Sequence, residues 1–205
     1  MTQKTFGFIG LGLIGGSLAK ALKRSNPSCR IMAYSRTSTT TGLALSEHAI
    51  DICCTSVSDP QFAACDCIFL CAPVDTNISA LRILKDIVPP DCILTDVGSV
   101  KTDIHRAAQE MGLNGRFIGG HPMTGSEKSG FAHAQAHLFE NSYYIITPSA
   151  DTVPEKIDWY KKMVTGFGAL PIVLNCEQHD YATAAISHLP HLIAAALVNT
   201  VHDLD

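Results

Sequence analysis

The chain has 205 residues, 46% of them hydrophobic, and a formal net charge of −4. That is globular composition, enough for one good-sized domain or for one domain and the start of another. The mild acidity and the lack of a basic stripe or polybasic run argue against nucleic-acid and anionic-membrane partners. The N-terminal run MTQKTFGFIGLGLIGG has no cleavage-site pattern, is broken by glycines and is too short to span a bilayer. Cys53, Cys54, Cys65, Cys67, Cys71 and Cys92 lie in or beside apolar, β-branched runs, and no pair has C-x-x-C spacing. They are expected to be reduced core thiols in a cytoplasmic protein.

Short apolar runs at 5–9, 30–34, 51–54, 66–71 and 92–96 read as buried strands. Helix-length segments at 13–25, 38–48, 74–88 and 100–111 alternate with them. This predicts an α/β fold, a Rossmann-type, doubly wound and mainly parallel sheet with helices on both faces. The pattern then loosens. A strand near 116–119, a glycine-rich loop, a short helix around 131–138, a strand at 142–147, a helix at 154–166 and a strand at 170–174 are expected. Residues 1–174 would form one domain, which the glycine motif at 10–15 marks as dinucleotide-binding. From Asn175 to Asp205 the composition is helical, and Pro190 should kink or restart that helix. Its apolar stripe at Leu192, Ile193, Ala196, Leu197 and Val201 has no evident partner. Residues 175–205 are therefore expected to begin an α-helical C-terminal domain, or to pack on another subunit.

The first strand runs straight into Gly10-Leu11-Gly12-Leu13-Ile14-Gly15, a G-x-G-x-x-G that opens a helix. Gly10 allows the tight turn, Gly12 lets the backbone approach a pyrophosphate, and Gly15 lets helix and strand pack closely. Leu13 and Ile14 begin the helix whose N-terminal amides face the phosphates. Where an NAD site usually carries an acid after the second strand, this chain has Ser35-Arg36-Thr37. A hydroxyl and a guanidinium suit a 2′-phosphate, which favours NADP over NAD. If Arg36 only stacks on adenine, either cofactor fits. The fourth strand ends in Cys71-Ala72-Pro73-Val74, where the proline either stiffens the turn below the nicotinamide or merely ends the strand.

Asp96-Val97-Gly98-Ser99-Val100-Lys101 follows the fifth strand, at the edge that faces a cofactor crevice. Ser99 is either a helix N-cap or a hydroxyl that holds the substrate or a histidine. His121 ends the next strand on that same edge. Gly119-Gly120 before it would let backbone approach a ligand, and Pro122 fixes the turn after it. Its imidazole suits a general base. His133 and His137 have i, i+4 spacing but no metalloprotease glutamate between them, so a solvated helix face is expected and no metal. His188 and His191 flank Leu189-Pro190, where a freed carbonyl or a ligand could use an imidazole. Glu127 and Lys128 could pair in the loop or gate a pocket.

Five elements, FGFIGLGLIGGSLAKAL, LCAPV, TDVGSVK, FIGGHPMTGSEKSGF and ISHLPHLIAAAL, occur in this order. Together they resemble the prephenate dehydrogenases, within the wider 6-phosphogluconate dehydrogenase-like group. The last three are the specific ones. The resemblance implies NAD(P)-dependent oxidative decarboxylation of prephenate to 4-hydroxyphenylpyruvate in tyrosine biosynthesis, without a metal. It implies that His121 takes the proton of the ring hydroxyl, that Ser99 orients this histidine and the substrate, that Glu127 gates, and that His188 is a second active-site histidine. The Glu-Lys-Ser-Gly loop resembles prephenate-using more than arogenate-using enzymes. In the family an arginine from the following helical domain binds a substrate carboxylate, and that domain builds a homodimer. No such arginine follows in these residues, so Lys101, Lys128 and a helix N-terminus are the local positive groups, and weak or absent turnover with intact cofactor binding is expected. The rival readings are another oxidoreductase of this architecture and a non-catalytic dinucleotide sensor. Neither alternative enzyme, a β-hydroxyacid dehydrogenase or an imine reductase, predicts a histidine in a GGHP loop.

Overall fold

The computed structural model describes residues 3–202. Its first half alternates strand and helix: β1 (Thr5–Ile9), α1 (Leu13–Ser25), β2 (Arg30–Tyr34), α2 (Ser38–Ser46), β3 (Ile52–Cys53), β4 (Cys67–Leu70), α3 (Val74–Leu84), β5 (Ile93–Asp96) and α4 (Thr102–Glu110). Then follow β6 (Phe117–Pro122), β7 (Tyr143–Pro148), α5 (Pro154–Gly166), β8 (Leu170–Val173), α6 (Cys176–Thr183) and α7 (Leu189–His202). The strands form one sheet in the order β3-β2-β1-β4-β5-β6-β7-β8. All pairings are parallel except β6 with β7. The strand order reverses beside β1, so the carboxyl ends of β1 and β4 open the crevice in which doubly wound sheets bind ligands.

The strands are continuously apolar because helices cover both faces. In β4, Cys67 and Phe69 point into one core with Phe8, Leu18, Tyr144 and Tyr160. Ile68 and Leu70 point into the other, with Met32, Leu81, Leu94 and Ile104. This two-residue alternation divides one strand between two hydrophobic layers. All eight cysteines are free thiols, and burial raises the pKa of Cys65, Cys67 and Cys71.

Several elements depart from the sequence expectations. β3 shrinks to two residues at the sheet edge, and an unpredicted 3₁₀ turn at Pro60–Ala64 fills the link to β4, capped by the Asp59 side chain. β6 extends through His121 and Pro122, because antiparallel β7 supplies partners as far as Pro122 opposite Tyr144. The expected helix at 131–138 is only a 3₁₀ turn at Phe131–His133, so His133 and His137 share no helical face. At Pro190 the helix does not stop. A π-helical segment, Ala184–His188, widens the turn just ahead of it, and α7 continues. A wider turn accommodates a residue that cannot donate a backbone hydrogen bond. No side chain of α7 is buried.

Candidate active site

The β1–α1 turn has the geometry the glycine spacing predicts. Gly10 sits at φ +95°, and a Cβ there would lie 3.0 Å from the Cys71 carbonyl oxygen. A Cβ on Gly15 would lie 2.4 Å from the Gly10 oxygen, so Gly15 is needed for helix-to-strand contact. Nothing lies within 4 Å of the Cβ position of Gly12, which faces open space. That space is a cleft of about 410 Å³ lined by Gly10, Gly12, Ser35, Arg36, Thr37, Ala72, Pro73, Gly130 and Phe131, among others. A glycine turn opening onto a helix N-terminus, with a guanidinium at the far end, fits the pyrophosphate and ribose of a dinucleotide. Ile14, Gly15, Val74 and Gly98 do not line the cleft. The turn after β4 is held by a residue the sequence reading missed. Buried Asn77 donates to the carbonyls of Leu70 (3.2 Å) and Ala72 (2.8 Å) and accepts the Ala72 N–H (3.1 Å).

The segment after β6 returns across the start of α1. Glu127, Lys128 and Ser126 line a small depression together with Leu13. Phe131 packs where a Cβ on Gly16 would lie 2.5 Å from its ring. The Lys20 ammonium stands 4.7 Å from the same ring centroid and donates to the Ala134 carbonyl. The Gln135 N–H donates to Ser17 Oγ. Residues 123–135 thus form a strap from His121 to the dinucleotide cleft.

Three expectations about the chemical edge are corrected. Lys101 is not a solvent-facing charge. Its side chain is fully buried, its ammonium is paired with fully buried Asp96 and donates to the Gly120 carbonyl at 3.0 Å. Desolvation lowers its pKa against the pull of Asp96. Asp96 also accepts the Gly98 N–H at 2.9 Å. The glycines before His121 serve this packing rather than ligand approach. A Cβ on Gly119 would strike Thr147, His105 and Lys101, and one on Gly120 would strike Tyr144 and the Asp96 carbonyl. Nor does Ser99 cap α4, which begins three residues later at Thr102. Ser99 is exposed.

The cap comes from α6. Asp180 accepts the N–H of Lys101 (2.7 Å) and of Thr102 (2.8 Å) and the Thr102 hydroxyl (2.5 Å). Its pKa falls to about 2; burial opposes the shift, and the hydrogen bonds from Thr102, His179 and Lys101 outweigh it. Asp180 Oδ1 also lies 2.7 Å from Nδ1 of fully buried His179. His179 Nε2 lies 2.8 Å from His121 Nδ1. His121 is partly buried, and its pKa is pushed down to about 3, mainly by burial and then by His179, Lys101 and His188. The imidazole is therefore neutral at physiological pH. Neither His179 nor Asp180 stood out in the sequence, although the Asn175–Gln178 capping box just ahead of them marks a helix start. His188, in the π-helical segment, is exposed and lines an open groove with Ser187, His191 and Leu192.

The family models that match this chain are "Prephenate dehydrogenase, nucleotide-binding domain", over residues 18–173, and "Prephenate dehydrogenase, dimerization domain", over residues 175–205. A prephenate dehydrogenase of Bacillus subtilis is 37% identical over 196 residues, covering 94% of this chain and 52% of that protein. The chain thus spans about half the length of the curated relatives it matches. The crystal structure of prephenate dehydrogenase from A. aeolicus, solved with hydroxyphenyl propionate and NAD+, superposes with a TM-score of 0.91 at 33% identity, covering 98% of this chain and 71% of that one. Synechocystis arogenate dehydrogenase superposes at 0.87 with 34% identity, covering 96% and 68%.

Proposed function

The chain belongs to the prephenate dehydrogenase family, and from that premise we propose that it carries out the NAD(P)-dependent oxidative decarboxylation of prephenate to 4-hydroxyphenylpyruvate. The observation that carries this reading is a neutral His121 at the carboxyl edge of β6, joined by the strap of residues 123–135 to a glycine-lined dinucleotide cleft. A bound nicotinamide supplies the hydride acceptor. His121 takes the proton of the ring hydroxyl as hydride leaves the same carbon. Loss of carbon dioxide then delivers its electron pair to the ring, which becomes aromatic. A base placed in this way contributes roughly 10²–10⁴ in rate.

Ser99, on the exposed loop ahead of α4, orients His121 and the substrate. His188 walls the side formed by the π-helical segment. Glu127 and Lys128 gate the rim beside Leu13. Ser35 and Arg36 at the end of β2 support NADP over NAD. The exposed apolar stripe of α7, with Leu192 66% and Leu197 63% accessible, is the face of a homodimer. Cys176–His202 is long and apolar enough to cross a bilayer by length and composition, but α6 is tied into the globular body through His179 and Asp180. The free cysteine thiols support a cytoplasmic location.

The test is reduced-nicotinamide formation from prephenate and from arogenate, in the wild type and in His121→Asn. The expected result is turnover with prephenate that falls at least a hundredfold in the variant, while dinucleotide affinity is unchanged. Full activity in His121→Asn would remove the base, and turnover with arogenate alone would reassign the substrate.

A further inference from the structure

We infer that Asp180 and His179 are positioning residues that fix the tautomer of His121, leaving its Nε2 as the proton acceptor. The inference takes from the proposed function only the role of His121 as base. Asp180 is committed as an acceptor, because the N–H groups of Lys101 and Thr102 and the Thr102 hydroxyl all donate to it. The nitrogen 2.7 Å from its Oδ1, His179 Nδ1, must therefore carry a proton. A neutral imidazole carries one, so His179 Nε2 is left as a lone pair. That lone pair faces His121 Nδ1 at 2.8 Å, with the Thr183 hydroxyl a longer second neighbour at 3.4 Å. His121 Nδ1 must be the donor, and by the same count its Nε2 is the base.

Both rings are held neutral by their surroundings. His179 is fully buried. The charged or titratable groups acting on the pair are Asp96 at the end of β5, Lys101 before α4, Asp180 on α6 and His188 in the π-helical segment. Lys101 disfavours a second proton on either ring, and Asp180 stabilises the charge once His121 accepts one. The carboxylate that sets the tautomer is also the α4 cap, so the base is oriented from the backbone of one helix through two rings.

The experiment is ¹⁵N NMR of the imidazoles, which distinguishes Nδ1–H from Nε2–H. In the wild type at neutral pH, His121 and His179 should both be single Nδ1–H tautomers. Asp180→Asn has one acceptor oxygen for this set of donors. With that oxygen kept by the α4 amides, the amide NH₂ faces His179 and drives both rings to Nε2–H. His179→Leu keeps the Asp180 cap, guards against loss of the fold, and should leave His121 populating both tautomers. Prephenate turnover should drop at least tenfold in each, with the KM for dinucleotide unchanged. An Nε2–H tautomer for His121 in the wild type, or a single Nδ1–H tautomer persisting in folded His179→Leu, overturns the inference. Absence of both dinucleotide binding and prephenate turnover in the wild type would instead strike the functional reading and leave the tautomer result standing.

Discussion

Replacing Lys101 with Met keeps most of the side-chain volume against Gly119 while removing the ammonium. Both members of the Lys101–Asp96 pair are fully buried, so water cannot take the place of the lost partner. The carboxylate would keep the Gly98 N–H at 2.9 Å and a long contact to the Gly120 N–H at 3.4 Å, and the Gly120 carbonyl would lose its donor. Stranding one charge of a buried pair costs about 3–5 kcal/mol. For a chain of this size that lowers Tm by roughly 6–20 °C. Adding Asp96→Asn removes the stranded charge, so Asp96→Asn/Lys101→Met should be more stable than Lys101→Met alone, with a coupling of at least about 1 kcal/mol. Urea unfolding followed by circular dichroism at neutral pH measures all three. A Lys101→Met loss below about 1 kcal/mol, or a double variant less stable than the single, would refute the argument that the pair is an obligatory unit under β6.

Two of the three fingerprint glycines should separate folding from binding: Gly12→Val, facing open space, should leave Tm nearly unchanged and weaken dinucleotide binding at least tenfold by fluorescence titration, whereas Gly15→Ala should lower Tm because its Cβ meets the Gly10 carbonyl. Arg36→Ala should raise the Kd for NADP by a larger factor than that for NAD; equal losses would mean the guanidinium only stacks on adenine. His105 and His121, with folded-state pKa values near 4 and 3, are below the ordinary histidine value of about 6.5. Their neutral burial therefore stabilises the fold fully above pH ~6.5, and that stability is lost as pH falls through their folded values. Asp180, depressed to about 2, adds on the order of 2 kcal/mol that is present above pH ~4 and lost as pH approaches 2. Urea midpoints should accordingly drop between pH 7 and 4 and again below it; a flat profile would contradict both.

The parallel sheet and the dinucleotide turn were legible because both are written locally. A buried strand is a short apolar run, and a phosphate turn is a fixed spacing of glycines. The place of His121 near the end of its strand was legible from GGHP, although the reason for its glycines was not, since what they touch (Tyr144, Thr147, His105) comes from other elements. Lys101 was read as a local positive group for the substrate, and only the packing of β6 over it, with Asp96 as its partner, makes it interior. His179 is 58 residues from the ring it touches, and no local pattern encodes such a meeting. Ser99 looked like a cap by residue type, while the true cap arrives from α6. The segment at 131–138 shows the converse, since its docking on α1 overrides helical composition beyond the first turn.

The ring of Phe131 seated in the notch of Gly16 joins the wall of the nucleotide cleft to the strap that leads to His121. An incoming dinucleotide therefore meets a surface already shaped before it arrives, and little conformational entropy remains to be lost on its capture. A side chain at position 16 would force the aromatic ring out, turning a lock-and-key entrance into one that must be rebuilt at every encounter.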